Sequence, residues 1–127
     1  MWNAESFLNG TFTNNLGSTC TLVAKEGTIT GEYSTKPLRG TLVSKTFPIH
    51  GTYTAVKDGA LLTFIVTFKM TGERKNGLEN ISVTTWNGKV YADKNTFKMN
   101  WLLVANESAD SEWAATNLGQ DTFTKQA

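Results

Sequence analysis

Hydrophobic and polar residues alternate over short stretches of this sequence, and a period of two is typical of β-strands with one buried face. The segment Thr19–Lys25 shows the pattern clearly, because Cys20, Leu22 and Ala24 alternate with threonine, valine and lysine. Helical periodicity is almost absent from the chain. The pattern predicts eight strands, at Gly10–Asn15, Thr19–Lys25, Thr28–Thr35, Phe47–Val56, Ala60–Met70, Asn80–Ala92, Thr96–Val104 and Leu118–Lys125.

Turn signals such as Leu16-Gly17 and Lys57-Asp58-Gly59 separate these strands. Strands at even spacing with short connections are typical of an antiparallel meander that closes into a barrel or folds into a sandwich. The sandwich is the weaker choice, because its topology usually needs a long crossover. Longer gaps at 36–46, 71–79 and 105–117 predict that one end of a barrel carries every second connection. The sequence therefore predicts an all-β fold, an eight-stranded antiparallel up-and-down β-barrel formed by one domain over residues 1–127.

The composition excludes several classes of function. Twelve Lys and Arg residues balance eleven Asp and Glu residues, which gives no electrostatic reason to expect nucleic acid or a membrane as partner. One cysteine, Cys20, cannot form an internal disulfide, and with the single His50 it does not make a metal site of ordinary ligand count. No transmembrane-length apolar run and no cleavable signal peptide are evident, so the compartment stays open. Without a phosphate-binding glycine loop or a nucleophile with His and acid partners, we expect no enzyme.

The segment "GTFTNNLGST" places polar groups where an apolar strand face is expected. Phe12, Asn14, Leu16 and Ser18 share one parity, so in an extended strand their side chains point to the same side. Either that side faces water, or it faces an interior that needs hydrogen-bonding groups for something other than its own packing.

Aromatic and small hydroxylated residues share strand faces in the second half of the chain. Aromatic walls with a few fixed polar groups are typical of a small-molecule pocket. The alternative is a barrel filled by its own aromatic side chains. The residues concerned are Phe68, Ser82, Thr84, Trp86, Trp101, Leu103 and Trp113.

Six segments resemble the avidin and streptavidin family in their order and spacing, along nearly the whole chain. They are "GTFTNNLGST", "GTITGEYST", "FPIHGTY", "SVTTWNGKVY", "NWLLV" and "EWAATNLGQDTFTK". The most specific part is the spacing of Trp101, Trp113 and Asp121. The resemblance implies a secreted, non-enzymatic homotetramer that binds and sequesters biotin inside the barrel, with biotin as ligand and no cofactor.

The resemblance also implies a role for each matching residue. The ureido oxygen of biotin would accept hydrogen bonds from Asn14, Ser18 and Tyr33, and the two ureido N–H groups would donate to Thr35 and Asp121. This arrangement would explain the polar strand face, because a buried carbonyl needs donors. Thr84 would lie near the ring sulfur and Ser82 near the carboxylate, while Trp113 would close the site of a neighbouring subunit. The remaining wall residues would be Leu16, Phe68, Trp86, Trp101 and Leu103.

Some positions depart from the family pattern. Phe68 stands where a tryptophan is usual, and Asn80 replaces a small residue near the carboxylate. The loop after Tyr33 carries three unusual residues as possible lid contacts, namely Pro37, Leu38 and Arg39. The arginine either bonds the carboxylate or points to solvent. A second interpretation therefore stays open, an avidin-like oligomerisation module with weak biotin binding or a different small ligand.

Overall fold

The computed structural model describes residues 1–35 and 45–127, and its strands form one closed antiparallel barrel. Each strand pairs with the next along the chain, and the last pairs with the first to close the ring. The predicted eight-stranded up-and-down barrel is thus confirmed. The strands are β1 (Gly10–Asn14), β2 (Thr19–Lys25), β3 (Thr28–Ser34), β4 (Thr46–Val56), β5 (Gly59–Glu73), β6 (Glu79–Tyr91), β7 (Thr96–Ala105) and β8 (Thr116–Lys125).

Most strand boundaries agree with the predicted ones to within one residue, and the larger differences lie at β5 and β8. β5 continues to Glu73, because this residue pairs with Glu79 beyond an irregularity in the ladder after Lys69. β8 begins at Thr116, which pairs with Val104 at the end of β7. Cross-strand pairing, which a single segment does not reveal, extends both strands.

A short helix near the amino terminus was not predicted. This helix, α1 (Ala4–Leu8), begins after Asn3, whose side-chain oxygen accepts a hydrogen bond from the Ser6 N–H at 2.9 Å. Five residues are too few for a helical period to show in the sequence. The Glu5 carboxylate accepts from the Glu26 N–H at 2.8 Å and from the Tyr53 hydroxyl at 3.0 Å, and these bonds lower the pKa of Glu5. Helix α1 is thereby fastened to one end of the barrel.

Aromatic side chains fill the barrel at the end where α1 lies, which we call the closed end. Phe12 packs against Phe7 of the helix and against Phe97, both at 5.7 Å between ring centroids, and Phe97 stacks on Phe123 at 5.8 Å. The Lys125 ammonium group donates to the Phe7 carbonyl at 2.6 Å and lies 4.8 Å from the Phe7 ring. At this end, rings and the Lys125 ammonium group contact other protein groups, while the Trp2 indole N–H is buried without a partner among the described residues.

The opposite end, which we call the open end, carries the longer connections. Because adjacent strands run antiparallel, the β1–β2, β5–β6 and β7–β8 connections all lie there. The last of them contains a 3₁₀ segment, Ala109–Ala114. The predicted lid residues Pro37, Leu38 and Arg39 lie outside the described residues. None of the helices in the described ranges is long and apolar enough to cross a membrane.

Candidate functional site

A cavity of about 160 Å³ lies inside the open half of the barrel. All of its lining residues belong to the set that the sequence predicted for a ligand site, so the fold brings together positions from both ends of the chain. They are Leu16, Tyr33, Phe68, Thr84, Trp86, Trp101, Leu103 and Asp121. We call this space the barrel pocket.

A stack of aromatic rings forms one wall of the barrel pocket. The Trp86 indole lies between Tyr33, at 5.1 Å and 29° between ring planes, and Phe64, at 5.0 Å and 25°. Phe68 meets Tyr33 edge-on at 5.6 Å and packs against Phe47 at 4.9 Å. A phenylalanine at this position therefore keeps the wall continuous, and both Tyr33 and Trp86 are held from two sides.

Asp121 is a buried carboxylate at the bottom of the pocket, only 4% exposed. One of its oxygens, Oδ2, accepts a hydrogen bond from the Trp86 indole N–H at 3.1 Å. Within residues 1–35 and 45–127, no Lys or Arg lies within ion-pair distance of it. A carboxylate offers about four acceptor positions, so Asp121 can accept further hydrogen bonds from N–H groups of a ligand.

A small network orients two donors near the pocket. The Asn14 side-chain oxygen accepts from the backbone N–H groups of Leu16 and Ser18, at 3.0 and 2.9 Å. Because this fixes the orientation of the amide, its nitrogen faces the Tyr33 hydroxyl and donates to it at 3.2 Å. Burial raises the pKa of Tyr33, the Ser18 hydroxyl lowers it and the charge of Asp121 raises it. The Tyr33 phenol therefore keeps its proton and can donate.

Thr84 carries a buried hydroxyl that lacks a hydrogen-bond partner among the described residues. The side chain is 3% exposed and lines the barrel pocket, between Val66 and Leu103 on the neighbouring strands. Leaving a buried hydroxyl unpaired costs about 1–3 kcal/mol. A protein that only filled its own core would gain from a valine here, and the hydroxyl is thus left free to bond an atom that enters the pocket.

Gly119 is part of the site, although the sequence interpretation did not include it. It pairs with Trp101 across the β7–β8 ladder. A Cβ at this position would lie 2.1 Å from Cζ2 and 2.3 Å from Cε2 of the Trp101 indole. The ring therefore lies flat over the Gly119 backbone and forms the wall beside Asp121. An isolated glycine within a strand was the only sequence signal for this close approach.

Besides Asn14 and Ser18, which belong to the network near the pocket, four predicted residues in the described ranges lie outside the lining of the barrel pocket. The Thr35 hydroxyl lies 3.3 Å from both the N and O of Lys45, at the base of the β3–β4 connection. Ser82 lies between Phe68 and Ala105 on the neighbouring strands, nearer the open end. Asn80 lines a different cavity, and Trp113 is 86% exposed on the 3₁₀ segment. The ligand contacts assigned to these four residues, and to the other predicted site residues, stay predictions.

A closed barrel with an aromatic-walled internal pocket and a few oriented polar groups defines a small-molecule-binding protein. The profile of the Avidin family matches residues 3–126, and the chain belongs to this family. A solved structure of a biotin-binding protein from chicken is 25% identical, with a TM-score of 0.76 over 98% of this chain and 100% of that one.

Two further solved structures share the fold at lower identity. Xenavidin is 22% identical with a TM-score of 0.72, over 94% of this chain and 97% of its own. AVR2 is 23% identical with a TM-score of 0.73, over 98% and 99%. These two likenesses extend over nearly the whole barrel and support its topology.

Proposed function

We propose that this protein binds biotin in the barrel pocket with high affinity and sequesters it without catalysis. The observation that carries the proposal is an aromatic-walled cavity lined by both the unpaired Thr84 hydroxyl and the buried Asp121 carboxylate. The chicken relative, itself a biotin-binding protein, supports the choice of ligand. Such a pocket favours a compact, uncharged head group with both N–H donors and a carbonyl acceptor, which the ureido group of biotin provides.

The hydrogen-bonding groups are arranged to match a urea. Asp121 would accept from a ureido N–H, while Tyr33, supported by Asn14 and Ser18, would donate to the ureido oxygen. Because a carboxylate would accept from the ureido N–H while neutral donors face the ureido oxygen, this arrangement favours negative charge on the ligand oxygen. The Thr84 hydroxyl would donate to the ring sulfur. Hydrogen bonds to a charged group contribute about 1.5–3 kcal/mol each, more than those between neutral groups.

The aromatic walls would supply the rest of the affinity. Trp86, Trp101, Phe68 and Leu103 would cover the hydrocarbon and thioether parts of the ligand. Burial of apolar surface stabilises a complex by about 2.5 kcal/mol for every 100 Å² removed from water. Since the stack already holds Trp86 in place, little side-chain entropy is lost when the ligand enters.

We further propose that the protein is a homotetramer in which Trp113 of one subunit closes the pocket of a neighbour. The Trp113 indole is 86% exposed on a short 3₁₀ segment, and a partner that covered it would remove this apolar surface from water. The outer face of β5–β8 also exposes apolar side chains that neighbour one another in the ladder. They are Ile65, Val83, Leu102, Val104 and Leu118.

Calorimetric melting with and without biotin tests the proposed function. With free biotin at about one thousand times Kd, linkage raises the free energy of unfolding by about 4 kcal/mol per site. Hexanoic acid, which has a similar chain but no urea, is the matched control and should not raise the Tm. A Tm that biotin leaves unchanged would refute biotin binding. If native mass spectrometry then showed a tetramer, the result would favour the alternative of an oligomerisation module.

A further inference from the structure

A second cavity, of about 450 Å³, lies at the open end of the barrel. We call it the mouth cavity. It lies between the β5–β6 and β7–β8 connections and is lined almost entirely by polar and charged side chains. They are Glu73, Arg74, Lys75, Asn76, Asn80 and Glu107.

One row of side chains on β6 connects the barrel pocket with the mouth cavity. Thr84 lines the pocket, Asn80 lines the mouth cavity, and Ser82, of the same parity, lies between them. On the other side, Leu103 lies on β7, and Glu107 lies two residues beyond the end of this strand at Ala105. Two residues along a strand cover about 7 Å. Asn80 is therefore about 7 Å beyond Ser82 along the strand. The resemblance places the carboxylate of biotin near Ser82.

Arg74 is held in place but leaves hydrogen-bonding capacity unused. Its Nη2 atom forms an ion pair with Oε1 of Glu107, whose side chain is 13% exposed, and Asn76 donates to Oε2 of the same carboxylate at 3.2 Å. The Nε–H group of Arg74 is buried and has no partner among the described residues. A guanidinium has five N–H donors in fixed geometry. Arg74 is thus held by Glu107 and keeps one donor, its Nε–H, without an acceptor among the described residues.

Resting on the proposed function, we propose that the mouth cavity is a second subsite for biotin conjugates, namely amides formed by the biotin carboxyl group with the side chain of lysine. The four methylene groups of that side chain would follow the row from Ser82 to Asn80. The lysine carboxylate would accept from Arg74, and its α-amino group would lie near Glu73. A subsite lined by both charges fits a zwitterionic end better than it fits an alkyl chain.

Isothermal titration of three ligands separates the subsite from the barrel pocket. The ligands are biotin, biotinyl-lysine and biotin butylamide, which has the same added chain length without the charged groups. We expect biotinyl-lysine to bind on the order of tenfold more tightly than the butylamide. The Arg74→Gln variant should bind the two amides with equal affinity and should keep its affinity for biotin. The matched control Lys94→Gln, at the closed end, should keep the tenfold preference. If the wild-type protein and the Arg74→Gln variant show the same preference for biotinyl-lysine over the butylamide, the proposal is overturned.

Nuclear magnetic resonance gives a readout that does not depend on a mutation. Biotin should shift the indole N–H signals of Trp86 and Trp101, and biotinyl-lysine should in addition shift the Nε–H signal of Arg74. If biotin shifts neither indole signal, the proposed function is wrong and the subsite falls with it. If biotinyl-lysine shifts the indole signals but not that of Arg74, biotin binding stands and only the subsite is refuted.

Discussion

The two ends of the barrel are built from the same strands and the same inward-facing rows, yet their contents differ. Along β1 the inward side chain changes from Phe12 at the closed end to Asn14 at the open end, and along β8 it changes from Phe123 to Asp121. At the closed end, rings and the Lys125 ammonium group contact protein atoms. At the open end, the hydroxyl of Thr84 has no partner among the described residues.

Because of this difference, we expect the closed end of the barrel to determine stability and the open end to determine ligand binding. An interior filled with apolar side chains stabilises the fold, whereas a buried polar group without a partner reduces stability until a ligand binds. We therefore expect substitutions at the closed end to change the free energy of unfolding, and substitutions at the open end to change ligand affinity. The following variants test this separation, from the largest expected effect to the smallest.

Phe12→Ala should cost the most stability. Phe12 is fully buried and contacts the rings of Phe7 and Phe97, so its truncation leaves a cavity. Such changes reduce the free energy of unfolding by about 3–5 kcal/mol. Chemical denaturation measures this loss, and titration below the new Tm should show an almost unchanged affinity for biotin. A large loss of affinity here would mean that the two ends are not separable.

Asp121→Ala should have the largest effect on binding. It removes the buried carboxylate and leaves a ureido N–H of the ligand and the Trp86 indole N–H without an acceptor. We expect affinity for biotin to fall by about 2–3 kcal/mol, measured by competition calorimetry. Asp58→Ala is the matched control, because Asp58 forms an exposed ion pair with Lys89 and should leave affinity unchanged. Wild-type affinity in the Asp121 variant would place the ligand elsewhere.

Gly119→Ala should disturb the pocket through Trp101. The added methyl group would overlap the indole, so the ring must move away from the wall that it forms. We expect biotin affinity to fall by about 1–3 kcal/mol, the usual cost of overpacking. In a Trp101→Ala background the same substitution should have almost no further effect, which a double-mutant cycle measures. Additive losses would show that Gly119 acts independently of Trp101.

Thr84→Val should have the smallest effect. It should leave the stability of the ligand-free protein level or raise it, and it should lower the affinity for biotin. Without ligand, the free energy of unfolding should stay level or rise by about 1 kcal/mol, because an unpaired buried hydroxyl is replaced by a methyl group. Affinity for biotin should fall by about 1 kcal/mol through the lost hydrogen bond. Thr30→Val, on the outer face of β3, is the control that should leave binding unchanged. A marked destabilisation of the ligand-free Thr84 variant would contradict an unpaired hydroxyl.

The sequence predicted most of the fold because strand alternation and turn residues are local signals. The identity of the polar residues in the barrel pocket was predictable only because several segments together resembled one family. The contact of Gly119 with Trp101 was not predictable, since it depends on the register of two strands. The same is true of Arg74 and Glu107, whose ion pair joins separate connections at the open end. Helix α1 was missed because five residues carry no periodic pattern.

A crystal structure of the protein with biotin tests the central claim most directly. We expect the ureido group in the barrel pocket, with an N–H within hydrogen-bond distance of Asp121, the oxygen near Tyr33 and the ring sulfur near Thr84. Biotin bound outside the barrel, or a pocket in which Thr84 and Asp121 make no contact with it, would contradict the account.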